Sequence, residues 1–499
     1  MILLLVGLPA AAALAAFFLR PNEPRRLLLL GTALAHTACV AWSWVRPDLF
    51  AALGDWIALD SLGRLFLGIT SVLFLVVSFY AVGFLRREGG GRSSDPEEGF
   101  LFDNTPEALF TACLLGFLAT MTLVTVSTHF GLLWVAIEAT TLVSAPLIHY
   151  HRHHRSLEAT WKYLLLCSVG IAVALLGTYF VAAAVPRGSG GSLTFRALAQ
   201  RASLLDVRWL KAGFLLLLVG YGTKMGLAPL HAWLPDAHSE APPVVSALLS
   251  GALLNCAFLA ILRILSVCTA AGLGAFSRQT ILVFGLVSMA VAAGLIIGQA
   301  DFKRLLAYSS VEHMGILAVG IGLGGTGDWG SLFHAVNHSL TKAALFLLAG
   351  NLLAAYGSKK TADVRGALRR TPFTAVLWTA GFFAILGAPP FGAFSSELAI
   401  LMAAVHSGSW AVVVLYSLFL AAIFAGMVGV LARMAQGGAH GARTAGAHSA
   451  ALVPAGARRE GALAVAPPLV LLCLTLALGL FVPGFLARSL QQAMALLGV

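Results

Sequence analysis

The chain has 499 residues, of which 59% are hydrophobic and 11% charged, and a formal net charge of +11. A soluble globular protein carries roughly 25% charged residues, so the composition excludes an ordinary soluble domain and describes a polytopic membrane protein. The excess of Lys and Arg lies in loops with few aromatic residues, which does not argue for nucleic-acid binding and fits the bias of cytoplasmic loops.

A membrane-spanning helix needs about 20 apolar residues. Such runs occur at Met1–Leu19, Leu27–Val45, Leu62–Leu85, Glu107–Thr128, Gly131–Tyr150, Thr160–Val181, Arg208–His238, Val244–Cys268, Thr280–Gln299, Lys303–Leu323, Gly330–Tyr356, Pro372–His406, Trp410–Met434 and Leu463–Phe485. They predict an all-α fold of about fourteen transmembrane helices. No basic residue precedes the first run, so it reads as a retained helix rather than a cleaved signal. Strands are not expected, because an open sheet edge has no place in lipid. The seventh, eleventh and twelfth spans are long enough to bend or break.

Helices four to eight and nine to thirteen read as two inverted five-helix repeats, each with its broken helix in fourth place. The expected organisation is three helices over 1–106, a first repeat over 107–268, a second over 279–434, a loop over 435–462, and a final helix with a short tail over 463–499. Two Gly-rich loops, at 87–104 and 436–461, read as flexible. Basic residues such as Arg20, Arg25, Arg26, Arg86, Arg87, Lys303, Arg304, Lys359 and Lys360 concentrate on one side. That side is predicted to be cytoplasmic, with both termini on the other.

Lys224 carries the most information. It lies in LLLLVGYGTKMGLAPLHAWLPDAH, beside Gly222, Gly226 and Pro229. A lysine in the hydrocarbon is a functional-site candidate by default, and a helix broken at that depth is where transporters put ion sites. The second interrupted segment, AILGAPPFGAFSSELAIL, places Glu397 just past its break. Glu138 and Glu312 are further acids inside spans, and Arg64, Lys162, Arg263 and Lys342 further bases. Buried Lys and Glu that perturb one another make a proton relay. His334, His338 and Lys342 recur every fourth residue and so share a helix face.

Each feature has a structural alternative. Glu138 and Lys224 also read as a static ion pair, His334 and His338 as satisfied polar residues, and Glu312 with His313 as packing. His231, Asp236 and His238 fit an interfacial polar cluster as well as a site of proton uptake. Arg64 and Arg263 read as helix-contact residues. Zinc held by the His334–His338 pair lacks an evident third ligand. The run HYHRHHR reads as a solvated basic loop, not a metal site. None of the six cysteines forms a CxxC, and no glycine-rich phosphate loop is present, so no redox cofactor is expected in this chain.

The segments WVAIEATTLVSAPL, KMGLAPLHAWLPDAHSEAPPVVSALLSGALL, DFKRLLAYSS, FHAVNHSLTKAALFLLAG and GAPPFGAFSSE together resemble the antiporter-like membrane subunits of respiratory complex I. That family includes subunits of multisubunit sodium/proton antiporters and of energy-converting hydrogenases. HRHHRSLEATWKYLLLCSVGIA and SSVEHMG are most similar to its hydrogenase-4 component F branch. The resemblance implies fourteen helices with two inverted repeats and a hydrated axis of charge. It implies a fifth-helix glutamate at Glu138 and a seventh-helix lysine at Lys224 as a switching pair. His334, His338 and Lys342 would form the connection, Glu397 the exit, and Lys303 the basic opening of the tenth helix. Ser250 and Asn255 stand where the family often has His or Lys, which throws weight on water, His231 or Lys342. Ser250, Asn255, Glu312 and His313 are possible relay residues.

The resemblance further implies other membrane subunits as partners. It also implies peripheral subunits that carry iron–sulfur clusters and a nickel–iron site. The absence of a long lateral helix fits a non-distal or hydrogenase-type subunit of the cell's inner membrane. A subunit of a secondary sodium/proton antiporter or of an inorganic-carbon uptake complex is the alternative.

Overall fold

The computed structural model describes residues 1–50, 52–88, 92–94, 101–186, 192–436 and 460–498. In chain order its helices are α1 (Ile2–Phe18), α2 (Asn22–Val45), α3 (Ser61–Glu88), α4 (Glu107–Val126), α5 (Phe130–Ile148), α6 (His154–Ala183) and α7 (Phe195–Gln200). There follow α8 (Val207–Met225), α9 (Trp233–Glu240), α10 (Pro243–Leu248), α11 (Leu254–Ala270), α12 (Gly274–Ile296), α13 (Phe302–Leu323) and α14 (Thr326–Tyr356). The last are α15 (Ala367–Arg370), α16 (Pro372–Ile385), α17 (Gly392–His406), α18 (Trp410–Gln436), α19 (Ala462–Leu480) and α20 (Gly484–Ala495).

Every expected span has its counterpart. Among the described residues, eleven helices are long and apolar enough to cross a membrane, and Ile2–Phe18, Pro372–Ile385 and Gly392–His406 are shorter apolar helices. Local chemistry sets the boundaries. Asp206 caps α8 by accepting from the backbone N–H groups of Arg208 and Trp209, and Asp301 does the same for α13 from Lys303 and Arg304. Pro372 opens α16, where its missing N–H costs nothing.

The two expected breaks are present and similarly built. The seventh span is α8, a turn, and α9; the twelfth is α16, a turn, and α17. Each turn begins at a glycine with positive φ, Gly226 (81°) and Gly387 (63°), and each has a proline three residues later, Pro229 and Pro390. A non-glycine residue in that conformation would be strained. The Ser288 hydroxyl of α12 accepts the Ala228 N–H at the first break (2.9 Å). At the second, Gly479 of α19 lies against the backbone of Pro390, Phe391 and Gly392. The eleventh span is not broken: α14 is one helix of 31 residues.

Helices α10, α11, α13 and α14 form the centre of the bundle, and α10–α11 is buried from Pro243 to Leu265. Exposed apolar side chains such as Leu14, Phe17, Leu27, Val414, Leu418 and Leu480 put α1, α2, α18 and α19 on the lipid side. Glycines bring backbones together within the bundle, as where Gly220 of α8 meets Gly170 of α6 and Gly285 of α12 meets Gly315 of α13.

Three features depart from expectation. A two-stranded antiparallel pair, β1 (Arg92–Ser94) with β2 (Leu101–Asp103), lies in the first loop read as flexible. The eighth span contains a π-helical turn, Leu249–Leu253, between α10 and α11. The tail beyond the last span folds as α20, with Leu486, Leu490 and Ala493 buried. Most of the second loop, 437–459, lies outside the described residues.

Candidate functional site

Lys224 ends α8 two residues before the Gly226 turn and is fully buried. Its Nζ donates to Thr141 Oγ1 (2.8 Å) and to the Tyr163 hydroxyl (2.7 Å). The Tyr163 hydroxyl also bonds Ser144 Oγ at 2.6 Å. The ammonium lies 4.5 Å from the Tyr163 ring centroid and 6.0 Å from that of Trp233, close enough for cation–π attraction. Trp233 is itself fixed by donating Nε1–H to the Thr223 carbonyl (2.8 Å).

Glu138 does not pair with Lys224 in this arrangement, contrary to the static-pair reading. Its Oε1 accepts from Ser168 Oγ (2.8 Å), and its Oε2 is buried without a protein partner. Thr141, which Lys224 does contact, is one turn further along α5 on the same face as Glu138. One helical turn of α5 separates Thr141, which accepts from the lysine, from Glu138, which does not.

Neutral side chains join this half of the bundle to the other. Ser250, inside the π-helical turn, bonds Ser310 of α13 (2.8 Å), and Asn255 of α11 donates to Ser339 of α14 (2.7 Å). Gly251 lets the turn lie against the Ser339 carbonyl, where a Cβ would approach to 3.0 Å. His231, in the first break, meets the edge of Tyr308 of α13 at 6.3 Å between centroids.

The second cluster gathers Glu312, His313, His334, His338, Lys342 and Glu397 from α13, α14 and α17. His313 Nδ1 and His334 Nε2 share a hydrogen bond of 2.8 Å, and His334 Nδ1 is bonded to Ser396 Oγ at 2.9 Å. The His313 ring is 5.0 Å from that of His334 and 5.1 Å from that of His338. His313 Nε2 and both ring nitrogens of His338 make no hydrogen bond of ordinary length among the described residues. Lys342 Nζ donates to the Leu306 carbonyl (2.8 Å) and lies within electrostatic reach of Glu312. Glu312 is in turn within reach of Glu397. The Glu397 carboxylate rests on Gly387 of the second break, where a Cβ would lie 2.0 Å from Oε2. A cavity of about 300 Å³ reaches Glu312, Glu397 and the buried, unpartnered hydroxyl of Tyr416. Buried polar groups without protein partners mark where internal water belongs.

Other expected residues lie elsewhere. Lys303 is at the arginine-rich end, where its Nζ donates to the carbonyls of Ser239 (2.9 Å) and Ala241 (2.7 Å) at the end of α9. It lines a larger cavity of about 940 Å³ with Lys359, Glu240 and His151. Lys162 is not buried in the bilayer core. It is half-exposed and pairs with Glu158 (2.7 Å) and Asp236 (3.0 Å). His238 is buried and stacks on Phe346. Arg263 bonds Asp60 and the Thr125 carbonyl, in keeping with a helix-contact role. The HYHRHHR run is a folded corner rather than a solvated patch. His153 caps α6 in a capping box with Ser156, and His151 Nδ1 bonds Asn104 (2.8 Å). Burial, reinforced by the Lys303 charge, pushes the His151 imidazole down to about 3.

Sequence reasoning missed the hydroxyls that hold the charges: Thr141, Ser144, Tyr163, Ser168, Ser396 and Tyr416. A signal existed for Thr141, three residues after Glu138 on one helix face.

Residues 127–424 match the family described as NADH:quinone oxidoreductase/Mrp antiporter, transmembrane. The chain belongs to this family. It is an antiporter-like membrane subunit of the complex I and group 4 hydrogenase type. A relative named hydrogenase-4 component F homolog, from Methylacidiphilum infernorum, is 37% identical over 356 residues, covering 70% of this chain and 73% of the relative. NADH-quinone oxidoreductase subunit N of Desulforudis audaxviator is 31% identical over 379 residues, covering 72% of each. The fold matches a chain in the structure of the membrane-bound sulfane sulfur reductase, described as an archaeal respiratory membrane complex. The TM-score is 0.85 at 22% identity, covering 99% of this chain and 97% of that one.

Proposed function

We propose that this antiporter-like subunit carries protons across the membrane through its two polar clusters, driven by a redox reaction in partner subunits. The observation that carries the reading is Lys224, a fully buried lysine held by hydroxyls one helical turn from a carboxylate oxygen that has no partner. A change of charge or hydration in a neighbouring membrane subunit draws Lys224 from Thr141 and Tyr163 toward Glu138, or releases it. The proton that Lys224 gives up passes by Ser250 and water to Lys342, His338, His313 and His334, and leaves by Glu397. Lys303, at the arginine-rich end, stays among the proposed proton-translocation residues and also secures the end of α9.

Each charge moved against 100 mV needs about 2.3 kcal/mol, which the partners supply. Names such as hydrogenase and NADH-quinone oxidoreductase among the relatives support redox centres, iron–sulfur clusters and a nickel–iron site among them, in those other subunits. The two glycine–proline breaks support inverted repeats over 107–268 and 279–434. The arginine-rich end is the cytoplasmic one and both termini face away from it, as the positive-inside bias requires.

The test is proton pumping by the complex in proteoliposomes with an electron donor. Lys224→Ala should abolish pumping while redox turnover continues. Pumping that persists in this variant would sink the route. A second reading, sodium/proton antiport, draws on the Mrp antiporter half of the family description; sodium-dependent flux without an electron donor would favour it.

A further inference from the structure

We propose that His313, His334 and Glu397 form a binding site for a divalent transition-metal ion of the zinc type, whose occupancy breaks the imidazole chain. One ligand atom from each lies within 4.8 Å of the other two, and all three residues are buried. They come from three helices, α13, α14 and α17, so the group is fixed by tertiary packing. The HYHRHHR run, by contrast, has its histidines engaged in caps and contacts at the bundle end.

The chemistry selects the ion. Two imidazoles and one carboxylate with a fourth position left for water is a zinc set. Imidazole donors favour zinc, cobalt, nickel and copper over magnesium and sodium, which want oxygen. Metal–donor bonds of about 2.1 Å put tetrahedral donors about 3.4 Å apart. The His313–His334 contact of 2.8 Å therefore opens by about 0.6 Å on binding, and the other pairs already lie within 4.8 Å. The second shell is already in place. His334 Nδ1 is tied to Ser396 Oγ, which orients the ring and leaves Nε2 as its ligand atom. The Glu397 carboxylate is seated on Gly387. The 300 Å³ cavity reaches Glu397 and gives a water ligand room beside it, while its apolar rim of Phe394, Leu398 and Phe424 lies on the lipid side.

The consequence follows from which lone pair the metal takes. His334 Nε2 is the atom that His313 Nδ1 now bonds, so a metal on Nε2 displaces that hydrogen bond. The proton shared by the two ring nitrogens leaves His313 Nδ1 for His313 Nε2, which has no protein partner among the described residues, so both rings meet the metal through lone pairs in their neutral form. The protons of the chain then have no imidazole–imidazole hydrogen bond to follow between α13 and α14. Inhibition of transport rests on the proton-carrying reading above; binding itself does not.

The experiment titrates the purified complex, in detergent and freed of metal, with Zn²⁺, and with Co²⁺ as a spectroscopic probe. The expected result is a tight site whose affinity falls at least tenfold in His334→Gln, in His313→Gln and in Glu397→Gln, with a tetrahedral Co²⁺ spectrum lost in parallel. His406→Asn, an exposed histidine at the end of α17, should leave binding as it is. Thermal denaturation of each variant reports whether it folds, and Glu397→Asp, which keeps the carboxylate, should retain part of the affinity. Zn²⁺ affinity and Co²⁺ spectrum unchanged in the three folded variants would overturn the site. Binding that follows the triad while proton flux ignores Zn²⁺ would uphold the site and count against the relay instead.

Discussion

Two buried lysines in this bundle are held in different ways. Lys224 has two hydroxyl acceptors within 2.8 Å, a third hydroxyl behind them, and two aromatic faces on its ammonium. Lys342 has one backbone carbonyl. Around it stand His338 without an ordinary hydrogen bond, His313 with one nitrogen unbonded, and Asn337 with its carbonyl oxygen unbonded. A satisfied charge in a low-dielectric site is held in place, while half-satisfied groups are open to water and to one another. The first region is built to hold a charge until something outside displaces it. The second is built to pass one along. The breaks differ in support as well: a serine hydroxyl holds the first, and close backbone packing against α19 holds the second.

The largest effect expected from breaking this comparison is at Gly479. A Cβ there would lie 2.0 Å from the Pro390 carbonyl oxygen and 2.6 Å from the Phe391 carbonyl carbon. Backbone cannot rotate away as a side chain can. Gly479→Ala should therefore cost about 3 kcal/mol, the upper end of ordinary overpacking, seen as a lower thermal midpoint in detergent. An unchanged midpoint would mean that α19 does not brace the second break.

Next in size is Tyr163→Phe. It removes one of the two acceptors of Lys224 and keeps the ring. A hydrogen bond to a charged group is worth about 1.5–3 kcal/mol, so the thermal midpoint should fall and coupled proton transfer should change by about tenfold or more. Unaltered pumping would show the hydroxyls around Lys224 to be packing, and the contrast with Lys342 would lose its meaning.

The spans and both breaks were legible because they rest on local signals: apolar length, and a glycine followed by proline. Lys224 was legible because a charge in an apolar run has few explanations. The hydroxyls were not, since single Ser, Thr and Tyr residues are scattered through most spans and their partners lie on other helices. The π-helical turn LSGAL carries no proline and reads as ordinary helix. The joining of the histidines across helices was not legible for a related reason. Sequence spacing joins His334 to His338 along α14, whereas packing joins His334 to His313 and Glu397 across three helices. The α20 helix is too short for a span, and its amphipathic pattern was overlooked.

The smallest predicted effect lies where the two halves meet at the arginine-rich end. His151, on the loop after α5, packs near Lys303 of α13. Burial first, and the lysine charge second, hold its imidazole down to about 3, against about 6.5 in an open chain. Between those values the open loop binds a proton that the closed loop refuses. Closure is thus fully favoured above about pH 6.5 and weakens as the pH falls toward 3. Limited proteolysis of the corner at 149–154 should accelerate between pH 7 and pH 5 relative to cleavage at a site without histidine. His151→Asn should remove that slope. Lys303→Met should only soften it, because burial is the larger cause. If Lys303→Met abolished the slope while His151→Asn kept it, the corner would be responding to the lysine's grip on α9, and the two halves would be joined by that contact rather than by the packed imidazole.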